Sequence, residues 1–418
     1  MVEEGAARVN LSAADLIDAA DLDAARAAVE GVALRTPVVA CDELSQVAGG
    51  PVALKAECLQ RGGSFKLRGA LAKVAALGAR ARRGLVTASA GNHARAVALA
   101  AQIQDIACEV FMPVDVAVAK LLAVERLGAR VHLDGDSVDE ALEFAARFAE
   151  ADGPAFVHPF DDIDVIAGQG TLALELLEQV PDLARVVVPI GGGGLASGIG
   201  IALRRAGADV ELIGVQASAC APYAELLTVA GSAAHGDASP RNTIADGIAI
   251  KRPGALTLPL LRELVSVVET VSEDEIADAM AFICETAKLV AEGAGAASVA
   301  AILASRLAPA RGTTVAIISG GNVDSGLLAA VLRRHETVEG RRVRMFTRVR
   351  DRPGGLAELL NLIAQARANL VNIDHVREAV PLHVRETGVE LTLETRGTSH
   401  TEEVLAVLAE AGYEVTLE

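Results

Sequence analysis

The stretch "VVVPIGGGGLASGIG", Val186 to Gly200, decides the fold class. Its first five residues are apolar on both alternating faces, as in a strand buried on both sides of a sheet. Gly191, Gly192, Gly193 and Gly194 follow without interruption, and a helical run opens at Leu195. A strand, a glycine loop and a helix in that order can turn several backbone N–H groups toward a phosphate, and the positive helix end adds to the attraction. The uncharged run continues to Leu203 but holds six glycines and a proline, which does not suit a membrane span of about 20 predominantly apolar residues. A dinucleotide fingerprint competes, since Gly191, Gly193 and Ala196 fit G-x-G-x-x-A. The acid it needs should end the following strand, whereas Glu211 begins one, so the phosphate cradle is the better reading.

Working outward, strand-like and helical runs alternate. "PVALKAE" precedes a helix from Phe65, "GLVTAS" one from about His93, "ACEVFMP" one through "AKLLAVERLG", and "ARVHLDG" one over Ser137 to Ala151. "VELIGVQA" and "TTVAIISGG" continue the series after the glycine loop, and a single helix over Ala13 to Val32 leads into it. This alternation predicts an α/β fold of open, mostly parallel sheets with helices on both faces. Near His335 the charged stretch "RRHETVEGRR" lacks apolar periodicity and reads as a linker over 336–342. From Val343 the order strand, helix, strand, strand, helix, strand predicts a separate ferredoxin-like βαββαβ domain over 343–418.

A formal net charge of −17 and a pI near 5.0 argue against nucleic acid or an anionic membrane surface as a partner. The start, "MVEEGAARVN", lacks the basic and apolar segments of a signal peptide. Cys41, Cys58, Cys108, Cys220 and Cys284 form no C-x-x-C pair, against a disulfide framework or a structural zinc site. A cytoplasmic location is expected.

Only six lysines occur in 418 residues, and one stands in "GGSFKLRGA", Gly62 to Ala70. Ser64 reads as a helix N-cap, with Leu67, Ala70, Leu71 and Val74 at helical spacing, so Lys66 falls in a first turn. The helix field disfavours the ammonium there, and a lysine that sheds its proton more readily is a better nucleophile toward a carbonyl. Two further strand-to-helix turns stand out. "TASAGNHA", Thr87 to Ala94, offers N–H groups to a carboxylate; "IISGGN", Ile317 to Asn322, places Ser319 beside two glycines. Four such turns at the C-terminal ends of parallel strands converge on one crevice.

In this order, "GGSFKLRGA", "ASAGNHA", "PIGGGGLASG", "TIADGIA", "AEGAGAAS" and "ISGGN" resemble the pyridoxal-phosphate threonine ammonia-lyases (threonine dehydratases) of the tryptophan-synthase β-like fold, fold type II, over about Leu34 to Asn322. The resemblance implies a two-lobed catalytic region, 1–335, with a smaller lobe at about 53–156 inserted in the larger. It implies that Lys66, beside Phe65, carries the cofactor covalently, that Asn92 bonds its phenolic oxygen, and that Ser319 bonds its pyridine nitrogen. Gly191, Gly192, Gly193, Gly194 and Leu195 would hold the phosphate; Ser89, Ala90, Gly91, Asn92 and His93 the substrate carboxylate. A serine hydroxyl is too weak an acid to protonate a pyridine, which limits charge withdrawal from the substrate and suits elimination.

The substrate implied is L-threonine, giving 2-oxobutanoate and ammonia, with L-serine as an alternative. Serine racemases of this fold carry an acid–base serine where this chain has Ala90, which argues against racemisation. Gln216 and Pro222 replace the acids of metal-binding relatives, so no strong magnesium or calcium site is expected. Asp246 and Glu292 match motifs near the cofactor without an assigned role, and His158 and His235 read as core or surface residues. The tail from Val343, with "RDRPGGL", resembles an ACT domain. That likeness implies an amino-acid effector, isoleucine or valine, near Gly354, Gly355 and Asn372, and a homodimer or homotetramer. An inactive amino-acid sensor is the non-enzyme alternative, against which the intact Lys66, Asn92, glycine loop and Ser319 argue.

Overall fold

The computed structural model describes residues 12–150, 153–227, 243–377, 383 and 385–417; His235 lies outside them. In chain order the first ten strands are β1 (Val38–Ala40), β2 (Val52–Ala56), β3 (Leu85–Ala88), β4 (Cys108–Met112), β5 (Arg130–Leu133), β6 (Ala155–Phe156), β7 (Leu183–Pro189), β8 (Glu211–Ala217), β9 (Val267–Val271) and β10 (Thr313–Ile318). They form a six-stranded sheet in the order β1-β2-β10-β7-β8-β9 and a four-stranded sheet in the order β5-β4-β3-β6. Every pairing is parallel except β1 with β2, where Val38 faces Lys55. Val186, Val187 and Val188 on β7 are fully buried, as expected for a central strand covered on both faces.

Several expectations change. The helix expected over Ala13 to Val32 is two, Ala13–Ala19 and Leu22–Val29, because Asp21 caps the second by accepting from the Ala24 N–H at 2.9 Å. Strand β2, expected to open the smaller lobe near residue 53, belongs to the six-stranded sheet, and the four-stranded sheet takes its strands from Leu85 onward. Strands β1 and β6 have three and two residues, too few to show a period of two. The 17-residue helix Ile163–Gln179, started by the Asp162 carboxylate, was also unforeseen. Of the stretch read as a linker over 336–342, residues 336–338 end the helix Ser325–Val338 and Arg342 already begins the next strand, which leaves 339–341 between the two elements.

The chain divides into two compact units, Met1–Val323 and Asp324–Glu418. The second holds β11 (Arg342–Arg350), helix Gly355–Gln365, β12 (Asn369–Val376), β13 (Glu386–Glu394), helix Thr398–Glu410 and β14 (Val415–Leu417). Its antiparallel sheet has the order β12-β13-β11-β14. Val343, Met345 and Val349 of β11 turn inward with Val389, Leu391 and Leu393 of β13, while Arg344 and Arg348 face out.

Candidate active site

Lys66 opens the helix Lys66–Leu77. Ser64 is extended (φ −163°, ψ 163°) and its side chain makes no capping hydrogen bond, unlike the expected N-cap. Its backbone instead bridges to Gly320, and the Phe65 N–H donates to the Ser319 carbonyl at 3.1 Å. The lysine turn and the serine turn are thus stitched together. Lys66 Nζ donates to the Pro159 carbonyl at 2.7 Å and lies 5.2 Å from the centre of the Phe65 ring. Burial pushes its ammonium down to about 8, against the attraction of the Glu292 carboxylate. Burial, more than the helix field, makes this lysine a reactive amine.

Two residues along the helix, Arg68 is fully buried and anchors it. It donates to both oxygens of Glu57, at 2.8 and 2.9 Å, and to both oxygens of Glu175, at 2.7 and 3.1 Å. Lys55 on β2 donates to Glu175 at 2.6 Å, which completes a group of two cations and two carboxylates. Burial would raise Glu57, but the charge and hydrogen bonds of Arg68 outweigh it and hold the carboxyl below its usual range.

The glycine loop joins β7 to the helix Gly194–Arg205. The Tyr223 hydroxyl and the Thr257 hydroxyl both donate to the Gly192 carbonyl, at 2.9 and 2.8 Å. In a trans peptide the following N–H points the opposite way, so fixing that carbonyl aims the Gly193 N–H. The backbone N–H groups of Gly191 through Leu195 have no acceptor among the described residues, and Gly193, Gly194 and Leu195 are buried. Phe160 packs on the loop so closely that a Cβ at Gly192 would fall within its ring.

The turn Ser89 to His93 divides its labour. The Ser89 N–H donates to the Phe111 carbonyl and the Gly91 N–H to Ser89 Oγ, which leaves the N–H groups of Ala90, Asn92 and His93 without an acceptor among the described residues. The His93 ring offers no cation to a carboxylate. It is buried, donates from Nε2 to the Val157 carbonyl at 3.0 Å, and is pushed down to about 3 chiefly by burial. Asn92 Nδ2 donates to Glu292 Oε1 at 2.5 Å, and Asn92 Oδ1 accepts from Asn322 Nδ2 at 2.6 Å. Burial raises the Glu292 carboxyl to about 7, aided by Asp246 and opposed by Asn92, Lys120 and Arg95. Ser319 is buried at the end of β10.

Other residues emerge only from the structure. His158 has partners after all: Nδ1 accepts from the Phe160 and Asp161 N–H groups at 3.3 and 2.8 Å, shaping the turn that offers Pro159 to Lys66. "HPFDD" was readable as a polar cluster, yet its key group is a carbonyl that any residue would carry. Gln216 Oε1 accepts from the Tyr223 and Ala224 N–H groups, at 2.9 and 3.0 Å, a structural role. Asp246 pairs with Lys120 at 2.6 Å, both partly exposed.

In the second unit the three expected effector residues do not meet. Gly354 and Gly355 start a helix beside the Arg350 carbonyl. Asn372 pairs with Thr392, which faces Arg344, six positions along β11 and roughly 20 Å from Arg350. It lines a polar cleft with Arg333, Arg342, Asp374 and Glu390.

A row of acceptorless N–H groups, a half-buried low-pKa lysine, an asparagine amide and a buried serine hydroxyl fit pyridoxal phosphate, which offers a phosphate, an aldehyde, a phenolic oxygen and a ring nitrogen. The sequence profile described as "pyridoxal-phosphate dependent enzyme" matches residues 29–320. An L-threonine ammonia-lyase of Thermotoga maritima is 44% identical over 404 residues, 96% of this chain and 100% of that protein. Among solved structures, the processed form of threonine deaminase isoform 2 from Solanum lycopersicum is 32% identical with a TM-score of 0.66, covering 78% of this chain and 93% of that one. Maize serine racemase is 33% identical with a TM-score of 0.67, covering 77% and 99%. The chain belongs to the family of pyridoxal-phosphate dependent enzymes.

Proposed function

We propose that the protein is a threonine ammonia-lyase, converting L-threonine to 2-oxobutanoate and ammonia. End-to-end likeness to a curated L-threonine ammonia-lyase carries the choice of substrate. Bound pyridoxal phosphate supplies an electron sink for negative charge at the substrate α-carbon. The chain supplies the rest. The amide N–H groups of Gly191 to Leu195 hold the phosphate, and those of Ala90, Asn92 and His93 receive the substrate carboxylate. Lys66 Nζ, whose pKa burial lowers to about 8, takes the α-proton and can return it to the β-hydroxyl, which departs as water. A water molecule then hydrolyses the remaining 2-iminobutanoate to 2-oxobutanoate and ammonia. A second reading, racemisation, is disfavoured by Ala90, whose methyl group carries no proton to the opposite face.

The test is release of 2-oxo acid from threonine and serine by the purified enzyme. Threonine should be preferred by about 10–200-fold, the reach of one methyl group in a pocket. Lys66→Ala should lose the visible absorbance of bound cofactor and at least about 10³-fold in kcat; full turnover in that variant ends the reading.

The second unit is proposed to be an ACT-type sensor, on the support of its βαββαβ order. The turn at Gly354 and Gly355 would receive isoleucine or valine, without Asn372, in a homodimeric or homotetrameric cytoplasmic enzyme. Isothermal titration with either amino acid should give heat and shift the threonine KM; no heat and no kinetic effect would remove the sensing role.

A further inference from the structure

An asparagine amide can present either end to a neighbour, so its orientation is set by its partners. Around Asn92 the sense is fixed at Arg95, because a guanidinium only donates. Arg95 Nη1 donates to Asn322 Oδ1 at 2.6 Å. Asn322 Nδ2 must then donate, and it does so to the Gly62 carbonyl at 2.9 Å and to Asn92 Oδ1 at 2.6 Å. Asn92 Nδ2 in turn donates to Glu292 Oε1 at 2.5 Å, where the series ends on an acceptor. Both Asn322 protons are used; Asn92 keeps one amide N–H for a ligand. Space is tight as well: a Cβ at Gly63 would collide with Asn322, and one at Gly320 with Glu292.

We propose that Arg95 and Asn322 are positioning residues: the one-way relay from Arg95 through Asn322 and Asn92 to Glu292 holds the free Asn92 N–H toward the bound cofactor. This rests on the reading that Asn92 contacts pyridoxal phosphate. Glu292 is the terminus that accepts, and hydrogen bonds linked in series in a poorly hydrated site polarise one another.

The relay can be reversed by design. Asn322→Asp removes the donors and sets two acceptors face to face, so the Asn92 amide turns over and presents Oδ1 where its N–H had been. Adding Glu292→Gln supplies a donor at the far end, and the internal bonds along Asn92 re-form in the opposite sense. Pyridoxal-phosphate titration of the apoprotein, read by absorbance, should show at least about tenfold weaker binding and a displaced absorption band for N322D. E292Q alone should weaken binding less than N322D does, because its carbonyl oxygen still accepts. The double variant N322D/E292Q should melt above N322D, yet remain as weak in cofactor binding. That separation is one a merely structural role would not produce. Parent-like binding by N322D overturns the proposal, as does joint recovery of melting and affinity in the double variant, or recovery of neither. Asn92→Ala separates the two layers: if it leaves affinity and band unchanged, the cofactor reading of Asn92 falls and the relay with it. If it weakens binding while N322D does not, only the relay falls.

Discussion

The two units treat charge in opposite ways. The first encloses Lys55, Glu57, Arg68 and Glu292 beneath its surface. In the second, the buried polar side chains among the described residues are Thr347, Thr387, Thr392, His400 and Thr401, with no buried acid, lysine or arginine. Charges kept from water interact strongly and move each other's proton affinities, whereas exposed ones are screened. The first unit is therefore built to alter proton affinities. The second is left with backbone groups, hydroxyls and screened charges for recognition.

Removing one charge from each unit should break the symmetry most visibly. Arg68→Ala leaves Glu57, fully enclosed, with one cation fewer, at an expected cost of about 3–5 kcal/mol. The Asp351–Arg377 pair of the second unit is exposed, with a separation of 3.5 Å, and Asp351→Ala should cost about 0.2–1 kcal/mol. Urea unfolding of both variants decides the matter; similar losses would show that enclosure is not what matters.

Glu292 sharpens the contrast through pH. Its folded pKa, about 7, lies above the ordinary 4.5, so the folded apoprotein keeps a proton that the unfolded chain releases. The resulting stability is complete below 4.5 and is lost as pH rises through 7. The shift corresponds to about 3 kcal/mol. Between pH 5 and pH 8 the parent apoprotein should therefore lose more stability than Glu292→Gln by roughly that amount. Parallel curves for the two proteins would mean that Glu292 is not buried as a neutral acid.

The loops of the site were legible because glycine is itself the signal: Gly191 to Gly194, Gly320 and Gly321 stand at strand ends in the sequence and in the structure. The strands and helices from β11 onward were legible to within a few residues, but the unit itself begins at Asp324, because the helix Ser325–Val338 carries no sequence mark that separates it from the catalytic region. The groups that aim the chemistry were not. Pro159 acts through a carbonyl, which has no sequence signature, and Asn322 meets Asn92 across 230 residues, beyond any local pattern. Ser64 was read as a cap because serine favours caps, but the pairing of its backbone with Gly320 left its side chain uncommitted. Nor does periodicity show that Asn372 lies far along the sheet from the turn that carries Gly354.

The smallest effects test whether glycine itself serves different ends in the two units. Gly354 has φ +88° and nothing within 4 Å of a prospective Cβ, so Gly354→Ala should cost only backbone strain, about 1–2 kcal/mol. At Gly192 the backbone is not left-handed; the obstacle is the Phe160 ring. Gly192→Ala should cost about 1–3 kcal/mol through overpacking and weaken cofactor binding, because the loop must shift. The two causes predict different couplings. Trimming Phe160 to alanine opens the space that the new methyl group needs, so Gly192→Ala should cost less in that background, with a coupling of about 0.5–3 kcal/mol. Gly354→Ala has no such neighbour, and no second substitution should relieve it. Strict additivity of Gly192→Ala with Phe160→Ala would show that the loop's glycines are there for their dihedral freedom after all, and the contrast between the units would lose one of its supports.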